Sequence, residues 1–290
     1  MHPKQFEVIQ IYHLWKTYFG FDDGGSIDDY FKRNFSLEAC YVLRKDGTIV
    51  ACLCAHPHTM MLHGKKVNIR FISGVITKQD VRHRGYMKEL FALVFQDDPT
   101  CALWVLQAYQ PEIYASLGFV PTYFSTIYHL AAKKGVHSDS FCEINDAPAL
   151  ATLAATFLND YDGYILHDAA WYENIIQETK ARGGKLVGLV RQQVLAYAIC
   201  FQEENAIYIE EVMYQSLATL DELLAHLATN ALPIELQSFA CLPYPKQDEK
   251  CTLLVRLGNC DTLKNIEQAK ITSLNDVYTN SKTLYHYSFW

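Results

Sequence analysis

Arg82-His83-Arg84-Gly85-Tyr86-Met87 puts two guanidinium groups, an imidazole and a glycine on one short turn. The apolar run Phe71-Ile72-Ser73-Gly74-Val75-Ile76-Thr77 precedes it and reads as a strand. Met87, Leu90, Phe91 and Val94 follow at i, i+3, i+4 and i+7, the spacing of one helix face. The turn therefore sits at a helix N-terminus, where backbone N–H groups lack partners and the helix dipole favours an anion. Gly85 lets an anion approach the backbone, and Arg82 and Arg84 add charge. Strand, basic glycine turn and helix in succession make a phosphate-binding device. Neither G-x-x-x-x-G-K-[ST] nor G-x-G-x-x-G is present, so it is neither a Walker loop nor a Rossmann turn.

The elements that position this turn can be read outward from it. Residues 3–19 predict a first helix, with Phe6, Ile9, Tyr12 and Leu14 on its apolar side. Ser26 is the expected N-cap of a short second helix. Asp46-Gly47 predicts a tight hairpin between two apolar runs. Gly64 to Thr77 reads as a third and a fourth strand. A helix from the basic turn, a buried strand CALWVLQA, a short helix PEIYASLGF closed by Gly118, and a strand VPTYFSTIYHLAA complete the series. This order predicts an α/β class, an α+β arrangement around a mixed sheet. The polar stretch KKGVHSDS then ends a first domain near residue 135. Helix, helix, hairpin, strand and helix recur from 145 to 231 without the basic glycine turn, a repeat of pattern rather than of letters.

The chain has 290 residues, enough for two cores, and half of them are hydrophobic. A formal net charge of −7 argues against nucleic acid as the main partner and suits a cationic one. The nine cysteines show no metal-type spacing and read as reduced, buried and structural, consistent with a reducing compartment. Cys52 and Cys54 should point the same way on one strand. His56, His58 and His63 lack a cysteine or carboxylate at ligand spacing, so no metal is expected. No signal-peptide shape or membrane span is read, and the expected location is cytoplasmic.

Val75-Ile76-Thr77-Lys78-Gln79-Asp80-Val81-Arg82-His83-Arg84-Gly85 resembles the V-x-V-x-P-x-x-R-x-x-G signature of the GNAT acyltransferases. Ile113-Tyr114-Ala115-Ser116-Leu117-Gly118-Phe119 is similar to their second signature, I-Y-x-x-x-G-F, in the right order and after a buried strand. Gln79 stands where many members have Pro, and Met87 where many have Gly or Ala. These departures, with LWKTYF near the N-terminus and AAWYENII in the second half, look like the Eis-type branch.

The resemblance implies tandem GNAT folds: a catalytic domain over 1–135, a degenerate second one over 136–240, and an extension with an aromatic tail over 241–290. That extension would be a shortened or missing sterol-carrier-like domain. A homo-oligomer stays open, and the short extension counts against the family's usual hexamer. The implied co-substrate is acetyl-CoA, held at Arg82 to Met87 and along Val75, Ile76 and Thr77. The implied reaction is direct acetyl transfer to a primary amine, an aminoglycoside-like or other small cationic acceptor. Tyr114 would be the acid that protonates the leaving thiolate, its phenol being near pKa 10 in model peptides. The base would be the terminal carboxylate of Trp290, with Glu112 and Glu211 as alternatives. Asp22, Asp23, Asp28 and Asp29 would border the acceptor site, with Asp22, Asp23 and Glu112 facing the amine. Transfer to protein lysines, or CoA binding without turnover, are the alternatives.

Overall fold

The computed structural model describes residues 1–20, 25–108, 110–132, 140–228, 232–263, 273–278 and 284. The chain divides into two compact units. Met1–Thr122 and the described part of Thr252–Ser281 build the first; Tyr123–Cys251 and Leu284 build the second.

In the first unit a 3₁₀ turn, Gln5–Glu7, leads into α1 (Val8–Phe19). Its buried face is Ile11, Leu14 and Trp15, while Phe6 and Ile9 are 73% and 59% exposed. The apolar side expected from Phe6 and Ile9 is therefore wrong. Trp15, four residues after Ile11, sets the face that packs. α2 (Ser26–Arg33) follows Gly25, whose φ of 89° takes the cap position expected for Ser26. A left-handed residue is needed there, and only glycine adopts it without strain.

β1 (Cys40–Lys45) and β2 (Thr48–Leu62) form the expected hairpin, with Asp46 and Gly47 at φ 50° and 77°. A second hairpin of the same kind turns at His63 and Gly64, φ 48° and 72°, into β3 (Lys65–Thr77). β3 is one continuous strand, not two. Gly74, which reads as a break, is absorbed as a bulge: Leu53 of β2 faces two residues, between the pairs Cys54↔Ser73 and Cys52↔Ile76. α3 (Tyr86–Asp97), β4 (Leu103–Leu106) and α4 (Glu112–Ala115) follow. β3 pairs with β4 in parallel, from Ile69↔Leu103 to Ile72↔Leu106.

The second unit takes β5 (Val120–Leu130) from Tyr123 onward, then β6 (Phe141–Glu143), α5 (Ala147–Leu158), β7 (Tyr164–Ile165) and α6 (Ala169–Ala181). β8 (Lys185–Val190), β9 (Val194–Gln202), β10 (Ile207–Tyr214), α7 (Leu217–Leu227) and β11 (Ile234–Ser238) complete it. Its sheet runs β5-β11-β10-β9-β8-β6. The order helix, helix, hairpin, strand, helix seen on either side of the basic turn in the first unit is repeated. Its core draws on both helical layers and the sheet, including Leu150, Tyr172, Tyr197 and Leu223. β12 (Lys246–Leu257) enters the first unit at Thr252 and pairs antiparallel with β4 over Leu254–Leu257. The helical reading of DTLKNIEQA is met by a short turn, Cys260–Leu263, and its remainder lies outside the described residues.

All nine cysteines are free, but Cys142 and Cys241 are exposed, so the expectation of uniformly buried thiols holds only in part. Among the described residues no helix is long and apolar enough to cross a membrane.

Candidate active site

The basic turn is where the sequence places it, ahead of the first residue of α3. Gly85 caps α3 with φ 81°, and no side chain caps the helix. His83 also lies in the left-handed region, at φ 63°. The left-handed Gly85 followed by the right-handed Tyr86 is the backbone pairing of an anion nest. Among the described residues, no acceptor takes the N–H of Arg84, Gly85, Tyr86, Met87 or Lys88; the first intrahelical bond runs from Glu89 to the Gly85 carbonyl at 3.0 Å. A Cβ on Gly85 would meet nothing within 4 Å. Gly85 is therefore not required by packing; its left-handed φ is what calls for glycine.

The two arginines are held differently. Arg82 donates from Nε to the Thr77 carbonyl at 3.2 Å, and its guanidinium lies 5.3 Å from the ring of Tyr18 on α1. The Tyr18 hydroxyl in turn accepts from the Gln79 N–H at 2.7 Å. Arg82 thus ties the turn to the end of β3. Arg84 is exposed and forms no hydrogen bond or ion pair among the described residues. Lys45 is occupied by Glu89 at 2.7 Å, beside the Tyr86 ring.

β3 supplies the second feature. Its pairing with β4 stops at Ile72↔Leu106, while its pairing with β2 runs on to Thr77↔Ala51. From Ser73 to Thr77 the edge turned away from β2 has no strand partner among the described residues, and the bulge lies at its start. Val75 and Thr77 are half-buried and Ile76 is buried. Gly74 is required here on two counts. Its φ is 59°, and a Cβ would overlap the indole of Trp15, which stacks on Tyr30 at 4.6 Å between centroids.

Tyr114 lies on α4. Its ring packs between Phe91 of α3, at 6.1 Å, and Phe119, at 6.2 Å. Phe91 is six residues beyond Gly85, about 9 Å along the helix at 1.5 Å per residue. One helix therefore carries both the anion nest and the wall against which Tyr114 rests. The Tyr114 hydroxyl makes no hydrogen bond among the described residues, and burial pushes its pKa up. It is protonated at neutral pH with a free proton to give.

The remaining candidates are scattered. Glu112 is exposed on the first turn of α4. Glu211 lies on β10 of the second unit, only 2% exposed. It accepts from Tyr197, which bonds Tyr172 at 2.7 Å. Burial pushes its carboxyl up to about 8, against the pull of the Tyr197 hydroxyl. Asp28 accepts from Tyr12 at 2.6 Å and pairs with Lys16 at 3.1 Å, and Asp29 pairs with Arg33. Both are locally neutralised, so they do not add to an open acidic patch. Asp22, Asp23 and Trp290 lie outside the described residues. His56 bonds Tyr30 at 2.8 Å and His63 the Val277 carbonyl at 2.9 Å. Burial, then the neighbouring His56, brings His58 down to about 4, so it is neutral at pH 7. Among the described residues no group of three or more His, Cys, Asp or Glu could hold a metal ion. Sequence reading missed the Arg82–Thr77 tie and the Gly74–Trp15 contact. A glycine inside an apolar strand was the available signal for the second.

The second unit repeats the strand geometry and closes the helix end. β10 pairs with β11 only as far as Ile209↔Leu236, and a register shift against β9 follows at once, between Ile209 and Glu211. At the start of α7, however, the Ser216 hydroxyl accepts from the Thr219 N–H at 3.3 Å, and the Thr219 hydroxyl accepts from the Ser216 N–H at 3.1 Å. A capping box satisfies donors that the first unit leaves open.

The family model of the acetyltransferase (GNAT) domain matches residues 2–122. No curated protein sequence matches the chain. Among solved structures, a GCN5-related N-acetyltransferase from Anabaena variabilis is similar at a TM-score of 0.73 and 16% identity, covering 91% of this chain and 74% of that one. A probable N-acyltransferase from Enterococcus faecalis gives 0.72 and 14%, covering 91% and 73%. Eis1 from Mycobacterium abscessus gives 0.66 and 14%, covering 91% and 75%. At these identities the likeness establishes the fold, and the family model adds the activity class. Residues 2–122 carry an acetyltransferase (GNAT) domain, and the protein is an acyltransferase enzyme on a GNAT fold.

Proposed function

We propose that the first unit binds acetyl-CoA and transfers its acetyl group directly to a primary amine on a small cationic molecule. The observation that carries this is the coincidence of two kinds of backbone group: unbonded N–H groups from Arg84 to Lys88, and the strand-free β3 edge from Ser73 to Thr77, where Arg82 already holds the Thr77 carbonyl. The first suits a pyrophosphate. The second suits an extended arm bearing amides, which adds to a sheet edge as a further strand. Coenzyme A carries both groups on one chain.

In this reading Arg84, with the N–H groups of Gly85, Tyr86 and Met87, takes the pyrophosphate. Arg82 and His83 shape the turn, and Val75, Ile76 and Thr77 pair with the pantetheine arm. The amine attacks the thioester carbonyl, the C–S bond breaks, and the Tyr114 hydroxyl gives its proton to the departing thiolate. The Trp290 carboxylate is the base proposed to take the proton from the amine, with Glu112 the nearer alternative in sequence. Asp22 and Asp23, unlike the neutralised Asp28 and Asp29, are the carboxylates proposed to draw in a cationic acceptor. The second unit, with its helix end self-capped, is proposed to bind no CoA. The likeness to Eis1 supports the Eis-type branch.

The test is acetyl-CoA consumption against aminoglycosides, polyamines and lysine peptides. Turnover on a small amine, lost in Tyr114→Phe, supports the reading. Turnover on peptides alone moves the acceptor to protein lysine. Tight binding with no turnover on any amine leaves a CoA-binding module and overturns the reading.

A further inference from the structure

Three cysteines line one face of the β1–β2 hairpin, and two of them directly oppose each other. Cys40 pairs with Cys54 across the antiparallel ladder. The Ala55 N–H bonds the Ala39 carbonyl at 2.7 Å, so Ala39 and Ala55 occupy a hydrogen-bonded position. The next pair along, Cys40 and Cys54, is then a non-hydrogen-bonded one. The Cys40 N–H agrees, turning outward to the Ser36 carbonyl at 3.0 Å. In such pairs the Cα atoms lie about 4.5 Å apart and the side chains come closest. That spacing falls within the range a disulfide spans. Cys52 is opposite Val42 and sits two residues from Cys54 on the same strand, with its side chain parallel to that of Cys54, so it has no comparable partner.

The pair is asymmetric. Cys54 is held toward the thiolate by Cys40 opposite it, then by His56 and Tyr30, against its burial. The same pairing with Cys54 raises Cys40, and burial raises it further. One sulfur is poised to attack and its neighbour to resolve.

We infer that Cys40 and Cys54 form a peroxide-oxidisable dithiol that closes to a disulfide stapling β1 to β2. The Cys54 thiolate attacks hydrogen peroxide, forming an S–O bond and releasing hydroxide. The Cys40 thiol then attacks the sulfenic sulfur. The S–S bond forms, and the oxygen leaves as water with the Cys40 proton. Two thiols are oxidised and one peroxide is reduced to two waters. Both cysteines are 0% exposed, which fits a small uncharged oxidant and disfavours bulky ones. β1 has only six residues, lies at the edge of its sheet, and begins at Cys40. Fraying of that end admits the oxidant without global unfolding. Cys54 also faces Ser73, immediately before the Gly74 bulge. The staple's effect on turnover rests on the acyl-transfer reading; its formation does not.

The experiment exposes the full-length chain to hydrogen peroxide, alkylates it after unfolding, and maps the peptides by mass. The expected result is one cross-link joining the Cys40 and Cys54 peptides, reversed by dithiothreitol and lost in Cys40→Ser. Exposed Cys142 and Cys241 report that the oxidant acted. If they are oxidised while Cys40 and Cys54 remain alkylatable, the inference fails. It fails equally if Cys54 carries a sulfinic acid with no cross-link, or if the bond forms to another cysteine. The wild-type map decides the matter even where a serine variant does not fold. A change in turnover without the cross-link counts against the inference.

Discussion

Replacing Tyr114 by Phe deletes one oxygen atom from a ring that packs 6.1 Å from Phe91 and 6.2 Å from Phe119. That oxygen has no hydrogen-bond partner among the described residues, so no internal bond is lost. The ring contacts stay, and folding stability should change by no more than about 1 kcal/mol. Catalysis should respond quite differently. Loss of a positioned general acid costs roughly 10²- to 10⁴-fold in kcat, about 3 to 5 kcal/mol of barrier. The acetyl-CoA KM should hold, because the anion nest and the β3 edge are untouched. Burial raises the Tyr114 pKa above its ordinary value, so the acid stays protonated through neutral pH and its ionisation should lower wild-type kcat only at the alkaline end. The assay is release of the CoA thiol, read with a chromogenic disulfide, beside a urea melt of each protein. Unchanged kcat would refute the acid role. A drop of several kcal/mol in stability together with lost activity would mean that the hydroxyl is structural.

Three further outcomes follow from the same geometry. Gly74→Ala places a Cβ on the Trp15 indole at a left-handed residue, so it should destabilise the first unit by about 2 kcal/mol or more and change tryptophan fluorescence. A denaturation midpoint equal to wild type would sink that reading. Arg84→Ala should raise the acetyl-CoA KM roughly 10-fold with kcat nearly constant, and more steeply at low salt, since the guanidinium is free for a phosphate; an unchanged KM would show that the backbone alone holds the anion. Glu211→Gln should be pH-dependent. Burial pushes the folded carboxyl up to about 8 from an ordinary 4.5, so wild type loses stability as pH rises between these values and gains none of it back above. The variant should match wild type near pH 5 and exceed it by a few kcal/mol at pH 8.5, by linkage. A difference that does not vary with pH would contradict the burial argument.

The basic turn, the Asp46-Gly47 hairpin and the tandem helix–helix–hairpin order were legible because each has a local signal: a glycine at a forced φ, or a helical spacing. Other features depend on what packs against what. The exposure of Phe6 and Ile9 is decided by Trp15 docking on Gly74, a contact between residues 59 positions apart. The division of labour between Arg82 and Arg84 is likewise invisible in their letters, because the Thr77 carbonyl and the Tyr18 ring select one of them. Asp28 and Asp29 read as an acidic cluster, and only the fold brings Lys16 beside the first of them. The unpaired β3 edge comes from a register, and register is set by the bulge rather than by composition.

The central claim is that one ligand occupies both the Gly85 turn and the β3 edge. Amide hydrogen exchange with and without acetyl-CoA tests it most directly. The account predicts slowed exchange at Val75 to Thr77 and at Gly85 to Lys88 together, with Ser216 to Thr219 in the second unit unchanged. Binding that protects the second unit, or that leaves the β3 edge exchanging as in the free protein, would contradict it.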